Sequence, residues 1–196
     1  YVINLSDFSF TNFQLSLTAN WGYVIRCDEK GEKAWHTDGG VGSAAKIHYI
    51  LKDGTIQSFS LGFNGIGYIL HVRPDGAIAI GAYWNGNSSC TIVAVRSDGT
   101  KVQLDYANLG QFPSIAYNVN MDKIAYAVQG GTSIYKKILD VNTMTVEDAG
   151  SFTLTENSDN AMRKRSIMDM TPDGEYIVIA TASAIRIICL LYTSPS

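Results

Sequence analysis

Short apolar stretches separated by tight polar turns recur along the chain. Four copies share the order apolar strand, polar turn, apolar strand: LSLTANWGYVIR (15–26), LHVRPDGAIAIG (70–81), YNVNMDKIAYAV (117–128) and MDMTPDGEYIVIA (168–180). A unit of this length cannot bury both faces of its own sheet, so it has to pack against copies of itself. The pattern therefore predicts a repeat protein.

The spacing of the turns gives the size of the repeat. Asp75 precedes Asp122 by 47 residues, Asp122 precedes Asp173 by 51, and the turns at Asp53 and Asp98 lie 45 apart. Four-stranded propeller blades repeat every ~40 to 50 residues. The apolar runs are rich in β-branched and aromatic residues and lack helical spacing, which favours strands covered on both faces. We therefore predict an all-β fold, a β-propeller fragment of about three and a half four-stranded antiparallel blades.

Turn chemistry places the strands, which we label A to D within each blade. Pro-Asp-Gly supplies a fixed φ and then a residue that tolerates positive φ, and Asp-Gly-Thr is a strong hairpin signal. The predicted blades cover residues 13–61, 67–106, 114–155 and 166–188. The strands of the first blade are expected at 13–18, 22–27, 44–51 and 55–61. Residues 28–43 are then a long loop between strands B and C.

Two of the turns resemble those of a known group of repeats. Pro74-Asp75-Gly76 and Pro172-Asp173-Gly174, each followed by an apolar strand, resemble the YVTN and TolB-like β-propeller repeats, which are distant relatives of WD repeats. The resemblance covers residues 13–188 and implies a propeller fold. It implies no single function, because such propellers serve as binding platforms, lactonases, peptidase gates and structural modules.

The two ends of the sequence differ from the repeats. The chain begins with Tyr1, and the fourth predicted blade stops after its third strand. Because propellers close with ~4 to 8 blades, we expect the natural protein to be longer on both sides. Residues 189–196 (CLLYTSPS) resemble the translation of a sequencing-library adapter. We therefore expect one partial propeller domain over residues 1–188, followed by a non-native tail.

Composition narrows the classes of function. The chain is 46% hydrophobic and 17% charged with a net charge of −3, so no basic surface for nucleic acid is expected. No apolar stretch approaches the ~18 residues of a membrane-spanning helix. Cys27 and Cys90 stand in different units and show neither zinc spacing nor a disulfide framework. We expect no cofactor, no nucleic-acid partner and no membrane insertion.

The cellular compartment stays open at this stage. Free thiols are compatible with a reducing interior and with a secreted protein that has no disulfide. Many Tyr, Asn, Ser and Gly residues with few charges favour an extracellular, periplasmic or virion surface.

Loops carried by a rigid scaffold usually hold the binding residues. In the predicted layout, the B–C and D–A connections share one face, and they are longer and more varied than the A–B and C–D turns. Aromatic, amide and charged residues gather on that face. The candidate ligand-binding residues are Trp35, His36, Asp38, Asn64, Trp84, Asn85, Asn87, Arg163 and Arg165.

These residue types suggest three kinds of chemistry. A tryptophan followed by two asparagines, as at Trp84, suits stacking on a sugar ring and hydrogen bonding to its hydroxyls. His36 and Asp38 pair an imidazole with a carboxylate, as acid-base catalysis or metal binding requires. Arg163 and Arg165 suit an anionic partner. The plainer interpretations are a tryptophan packed at a blade rim, a solvated loop and a soluble basic loop end.

The sequence offers no motif for a catalytic nucleophile. No Gly-x-Ser-x-Gly is present, and no helix follows the glycines of 62–67 to hold a phosphate. His71, on the predicted innermost strand, is expected to be a hydrogen-bonded core imidazole. We therefore predict a non-catalytic binding scaffold for a protein or carbohydrate-like ligand on the B–C and D–A face. Two alternatives stay open: a lactonase-like hydrolase with its site at the central channel mouth, and a structural module of a bacterial surface or phage protein.

Overall fold

The computed structural model describes residues 2–3, 10–11, 24–86, 89–107, 113–127, 133–154, 168–180 and 185–190. Within these ranges every regular element is a β-strand. A short antiparallel pair, β1 (Val2–Ile3) and β2 (Phe10–Thr11), precedes four larger sheets. No helix in the described part of the chain is long and apolar enough to cross a membrane.

The four sheets, I to IV, follow one another along the chain. Sheet I contains β3 (Ile25–Cys27), β4 (Lys33–Gly40), β5 (Ser43–Leu51) and β6 (Ile56–Asn64). Sheet II contains β7 (Ile66–Val72), β8 (Ile78–Gly86), β9 (Ser89–Arg96) and β10 (Lys101–Ala107). Sheet III contains β11 (Ser114–Tyr117), β12 (Lys123–Ala127), β13 (Ser133–Asp140) and β14 (Thr145–Thr153). Sheet IV contains β15 (Met168–Met170), β16 (Tyr176–Ala180) and β17 (Ile185–Cys189), and in every sheet each strand pairs antiparallel with the next.

Hydrophobic clusters join each sheet to the next one. The cluster between sheets I and II includes Trp35, Ile47, Tyr83 and Val93. The cluster between sheets II and III includes Ile80, Ile92, Ile124 and Tyr126. The cluster between sheets III and IV includes Ala125, Ile134, Ile177 and Ile179. Alternate residues of one strand thus enter different clusters, which explains why the central strands are continuous apolar runs.

The first strand of sheet II, β7, packs against both β3 and β4 of sheet I. β3 contacts β7, β11 contacts β15, and the last strand of sheet II contacts the last strand of sheet III. Sheets that stack face to face with their first strands innermost form the radial arrangement of a propeller. The predicted fold class is confirmed: the chain is an all-β partial propeller whose blades, within the described residues, have three or four antiparallel strands.

Four equivalent turns connect the first and second strands of the sheets, and we call them the inner turns: 28–33, 73–78, 118–123 and 171–176. In each, the first residue donates its amide to the carbonyl of the sixth, as Asp28 does to Lys33 at 2.9 Å. The fourth residue has a positive φ: Gly31 (66°), Gly76 (71°), Met121 (57°) and Gly174 (75°). These positions lie 45, 45 and 53 residues apart, which gives the true period of the repeat.

The first blade is where the sequence prediction is wrong. Within the described residues β3 pairs with β4 alone, so residues 25–27 are the first strand of their sheet and not the second. The expected loop 28–43 instead contains the inner turn 28–33 and the whole of β4. The inner turn has Asp28-Glu29-Lys30-Gly31 where the other copies have Pro-Asp-Gly or an asparagine, so its similarity is in conformation and not in identity. The predicted strand at 13–18 lies outside the described residues.

Two residues beyond the predicted boundary at residue 188 contact sheet IV. Cys189 pairs with Tyr176 in sheet IV, and Leu190 is buried and donates its amide to the carbonyl of Glu175. These two residues therefore take part in the fold. The adapter origin proposed for residues 189–196 stays a prediction.

Candidate functional site

Trp35 is an interior residue and not a loop residue. It lies in β4 with 0% of its side chain exposed, and its ring centroid is 4.8 Å from that of Tyr49. Its indole Nε1 donates to the carbonyl oxygen of Gly76 at 3.0 Å, in the inner turn of the next sheet. Trp35 therefore joins sheets I and II.

His36 and Asp38 also lie in β4 and belong to a polar cluster within sheet I. His48 Nε2 lies 3.4 Å from Asp38 Oδ2, and His48 Nδ1 lies 2.8 Å from Ser58 Oγ. The rings of His36 and His48 are 5.8 Å apart, and Asp38 is fully buried. The loop predicted for these residues is therefore wrong, because β4 pairs with β3 and β5 and carries both side chains inside sheet I.

The structure brings two of the predicted amide residues together. Asn85 Nδ2 donates to the carbonyl oxygen of Asn64 at 2.7 Å, and Thr91 Oγ1 donates to Asn85 Oδ1 at 3.0 Å. The Trp84 ring lies 6.3 Å from that of Tyr68. Asn85 thus connects the β6–β7 link to the β8–β9 hairpin, and its ligand-binding role stays a prediction. Asn87, Arg163 and Arg165 lie outside the described residues.

A cavity of about 380 Å³ opens beside the innermost strands β7, β11 and β15. Residues of sheet IV complete its wall. The cavity is lined by His71, Ile115, Ala116, Tyr117, Met168, Asp169, Val178, Ala180 and Ile185. We call it the inner cavity. It combines apolar walls with a few ionisable groups, as small-molecule sites usually do.

The ionisable groups beside the inner cavity share one position of the repeat. Arg26, His71 and Asp169 each stand five residues before the positive-φ residue of their inner turn, and Ala116 stands at the same place in sheet III. Equivalent positions on successive innermost strands converge around the channel of a propeller. Three of the four sheets therefore direct an ionisable residue to the same region.

His71 is uncharged at neutral pH. The pKa of His71 is lowered to about 4, mainly by burial of the ring and also by the Arg26 guanidinium, while the Asp169 carboxylate opposes the shift. The Tyr117 ring centroid lies 4.8 Å from that of His71, and burial is also the main cause that raises the pKa of Tyr117. A neutral imidazole offers one hydrogen-bond donor and one acceptor. The neutral imidazole of His71 therefore offers the cavity both a hydrogen-bond donor and a hydrogen-bond acceptor.

The two charged groups near His71 are not joined to each other. Among the described residues no ion pair links Arg26 to Asp169. The Arg26 guanidinium donates to the carbonyl oxygen of Ile25 at 3.0 Å, and Asp169 Oδ1 accepts from the amide of Met170 at 2.9 Å. Both side chains are solvent-exposed. A ligand that reaches this region meets a cation and an anion on separate strands.

The part of the chain that the structure describes contains no group of three or more His, Cys, Asp or Glu residues arranged to hold a metal ion. Cys27 and Cys90 differ in exposure. Cys90 is buried, and this burial raises the pKa of its thiol to about 12, whereas Cys27 is exposed and unpaired. Cys90 is therefore protonated and unreactive at neutral pH.

Sequence reasoning interpreted His71 as a core imidazole and did not select Arg26, Tyr117 or Asp169. The signal that identifies Arg26 and Asp169 is their shared position, five residues before the positive-φ residue of the inner turn. This signal can be used only when the inner turn of sheet I is placed at 28–33. Because that turn lacks Pro-Asp-Gly, the alignment of Arg26 with His71 and Asp169 could be read only from the strand pairing and the positive φ of Gly31.

Similar solved structures are β-propellers. A catalytically inactive virginiamycin B lyase from Staphylococcus aureus with quinupristin matches with a TM-score of 0.58 at 20% identity, over 98% of this chain and 62% of that chain. A putative 6-phosphogluconolactonase from Bacteroides uniformis matches with a TM-score of 0.57 at 11% identity, over 85% and 52%. A nidogen/laminin complex matches with a TM-score of 0.54 at 14% identity, over 89% and 61%.

These identities support the fold alone. The chain spans 62% or less of each of those three proteins. No protein-family model matches the chain, and no curated protein matches it. The propeller fold is therefore established, whereas the resemblance to YVTN and TolB-like repeats stays a prediction.

Proposed function

We propose that the chain is a non-catalytic binding scaffold of the β-propeller type that takes a small polar ligand in the inner cavity. The observation that carries this proposal is the convergence of Arg26, His71 and Asp169 at one repeat position beside a cavity of about 380 Å³. A position that only had to close the channel would be served by small apolar residues, as Ala116 does in sheet III.

The groups around the inner cavity favour a carbohydrate-like acid as ligand. Arg26 suits a carboxylate or phosphate through charge-assisted hydrogen bonds, and Asp169 accepts hydrogen bonds from hydroxyl groups. The Tyr117 ring offers an apolar face to a sugar ring. The carbohydrate-like ligand predicted from the sequence is thus retained, and its proposed place moves from the B–C and D–A face to the channel.

The case for a binding site on the B–C and D–A face is weaker than the sequence suggested. Its longest predicted loop, 28–43, is mostly strand, and β4 and β5 are joined by a tight turn. The binding roles of Asn64, Trp84, Asn85 and Asn87 remain a proposal for a partner on that face. A structural module of a bacterial surface or phage protein likewise stays a prediction.

Titration of the chain with gluconate, followed by NMR, tests the proposal. We expect saturable binding that shifts the signals of residues 115–117 and 169. Arg26→Gln should weaken binding at least about tenfold, because one charge-assisted hydrogen bond contributes about 1.5–3 kcal/mol. Arg96→Gln is the matched control, since Arg96 pairs with Asp98 in the β9–β10 hairpin. Equal affinity in the two variants would contradict the site, and the absence of binding by gluconate and by glucose 6-phosphate would contradict the function.

A lactonase-like hydrolase is the second candidate, and one observation favours it. His71 is neutral and lies in a cavity that Asp169 also lines, so its imidazole is able to accept a proton from an attacking water. One similar structure is a putative 6-phosphogluconolactonase. Hydrolysis of 6-phosphogluconolactone that is lost in His71→Gln and kept in Arg96→Gln would replace the non-catalytic proposal. Binding without turnover would support the scaffold.

A further inference from the structure

The inner turns of neighbouring sheets are joined by the same two hydrogen bonds at two junctions. Between sheets I and II, the amide of Glu29 donates to the carbonyl of Pro74 at 3.0 Å, and Lys33 Nζ donates to the carbonyl of Asp75 at 2.7 Å. We call this pair of bonds the latch. It connects the second and sixth residues of one turn to the second and third residues of the next.

The latch recurs between sheets III and IV. The amide of Val119 donates to the carbonyl of Pro172 at 3.3 Å, and Lys123 Nζ donates to the carbonyl of Asp173 at 2.8 Å. In both latches the lysine stem crosses a glycine of the next turn. A Cβ at Gly76 would lie 2.7 Å from Lys33 Cδ, and a Cβ at Gly174 would lie 2.5 Å from Lys123 Cδ.

The junction between sheets II and III has neither bond. The second residue of its donor turn is Pro74, which has no N–H, and the sixth is Ile78, whose side chain is buried. The glycine of the acceptor turn is replaced by Met121, and Ile78 and Met121 belong to the same core cluster. The lysine–glycine pair of the latched junctions thus becomes an apolar pair, and the two acceptor carbonyls lose their donors.

A cavity of about 370 Å³ lies at this unlatched junction. It is lined by Arg73, Pro74, Asp75, Val119 and Asn120. Val119 and Asn120 are the second and third residues of the acceptor turn, the positions whose carbonyls accept the latch elsewhere. Neither carbonyl oxygen accepts a hydrogen bond from any residue that the structure describes.

We propose that this cavity is a binding site for a primary alkylammonium group, which would occupy the place of the missing latch lysine. An ammonium has three N–H donors and is therefore able to bond to the carbonyls of Val119 and Asn120 together. The alkyl stem would cover Pro74 and the Val119 side chain, which is 48% exposed. The Asp75 carboxylate forms an ion pair with the Arg73 guanidinium at 2.7 Å. This pair balances the positive charge that would otherwise repel an ammonium group.

The test compares three probes of similar size by NMR titration of the full chain: n-butylammonium, n-butyltrimethylammonium and 1-butanol. We expect n-butylammonium to bind at least about tenfold more tightly than the other two, because only its head group donates charge-assisted hydrogen bonds. Its effects should centre on the amides of Val119 and Asn120. Equal responses to the three probes, or no response at those amides, would overturn the proposal.

Two variants remove the site in different ways. Ile78→Lys combined with Met121→Gly rebuilds the latch within the chain and should abolish n-butylammonium binding. Because both positions are buried, Val119→Phe provides a second route that fills the cavity from an exposed position. Val41→Phe is its control, since Val41 is 57% exposed in the β4–β5 turn of sheet I. Binding that persists in folded Val119→Phe would refute the site.

The ammonium group has two possible sources, a free amine or a lysine of a partner protein. Titration with N-acetyl-Gly-Lys-Gly-amide separates them. Affinity within threefold of n-butylammonium would support a protein lysine as ligand, and affinity at least about tenfold lower would support a free amine.

Discussion

At the scale of single residues, burial decides which polar side chains are available for chemistry. Asp38 is fully buried inside sheet I, where it lies 3.4 Å from His48, whereas Asp169 stands exposed beside the inner cavity. His71 lies between these cases, because its ring lines a cavity while protein atoms remove most of its hydration. Residue type alone does not distinguish these three roles.

The lowered pKa of His71 predicts a pH-dependent stability. The unfolded chain binds a proton at this residue near pH 6.5, and the folded chain binds it near pH 4. The stabilisation that comes from keeping this imidazole neutral in the fold is therefore fully present above pH 6.5 and is lost as the pH falls towards 4. We expect the wild type to lose up to about 3 kcal/mol more free energy of unfolding over this interval than His71→Gln. Parallel urea melts at both pH values measure the difference, and identical losses would contradict the assignment.

Two tryptophans provide a matched test of a buried hydrogen bond. Trp35 Nε1 donates to the carbonyl of Gly76, whereas Trp84 Nε1 is buried and has no acceptor among the described residues. Trp35→Phe should therefore lower the free energy of unfolding by about 1–3 kcal/mol more than Trp84→Phe, because it leaves a buried carbonyl without its donor. Chemical denaturation of the two variants checks this, and an equal cost would show that the bond does not join sheets I and II.

At the scale of elements, the inner turns do more than reverse the chain. Their positive-φ position is conformationally equivalent in all four sheets, yet its surroundings differ. Gly31 faces open space, whereas Gly76 lies under Lys33 and Asp28 of the preceding turn. The turn of sheet I therefore serves as the donor of the latch, whereas the turn of sheet II serves as its acceptor.

Replacing each of these glycines by alanine separates conformation from packing. Gly31→Ala should cost only the left-handed strain of an alanine, about 1–2 kcal/mol. Gly76→Ala should cost more, because its Cβ would lie 2.7 Å from Lys33 Cδ and 3.0 Å from Asp28 Cβ. Lys33→Ala should recover part of the difference in the double variant. Thermal melts of the three variants test this order, and equal costs at the two glycines would argue against the latch.

At the scale of the whole molecule, stability comes from the stacking of sheets and depends on which face is covered. Four residues stand at the same repeat position, four residues after the positive-φ residue: Trp35, Ile80, Ala125 and Val178. The first three are 0% exposed, and Val178 is 38% exposed. The face of sheet IV that bears Val178 is therefore built like a covered face and is open in the described residues.

A charge should destabilise the fold strongly on a covered face and hardly at all on an open face. Ile124 is fully buried between sheets II and III, and Ile187 is 73% exposed on sheet IV. Ile124→Asp should abolish cooperative unfolding, since an unpaired carboxylate in the core costs more than about 4 kcal/mol. Ile187→Asp should leave the free energy of unfolding within about 0.5 kcal/mol of wild type. Circular dichroism melts measure both, and a wild-type melt for Ile124→Asp would contradict the stacking.

The repeat, the strand composition and most strand positions after residue 44 were predictable from local sequence patterns. These features are local: Asp-Gly turns fix hairpins, and unbroken apolar runs require two covered faces. The turn at 28–33 escaped detection because its conformation is set by strand pairing and a positive φ at Gly31, with little identity to the other copies. Because this turn was missed, the sequence prediction placed Trp35, His36 and Asp38 in a loop.

The place where the ionisable residues meet depends on how the sheets stack. Arg26, His71 and Asp169 are 45 and 98 residues apart, and nothing local records that their strands are neighbours around one channel. The same holds for the latch, because whether Lys33 meets a glycine depends on the sheet that stacks beside it. Strand periodicity is a property of neighbours in sequence, whereas a site on innermost strands is a property of neighbours in space, and the stacking of sheets connects the two.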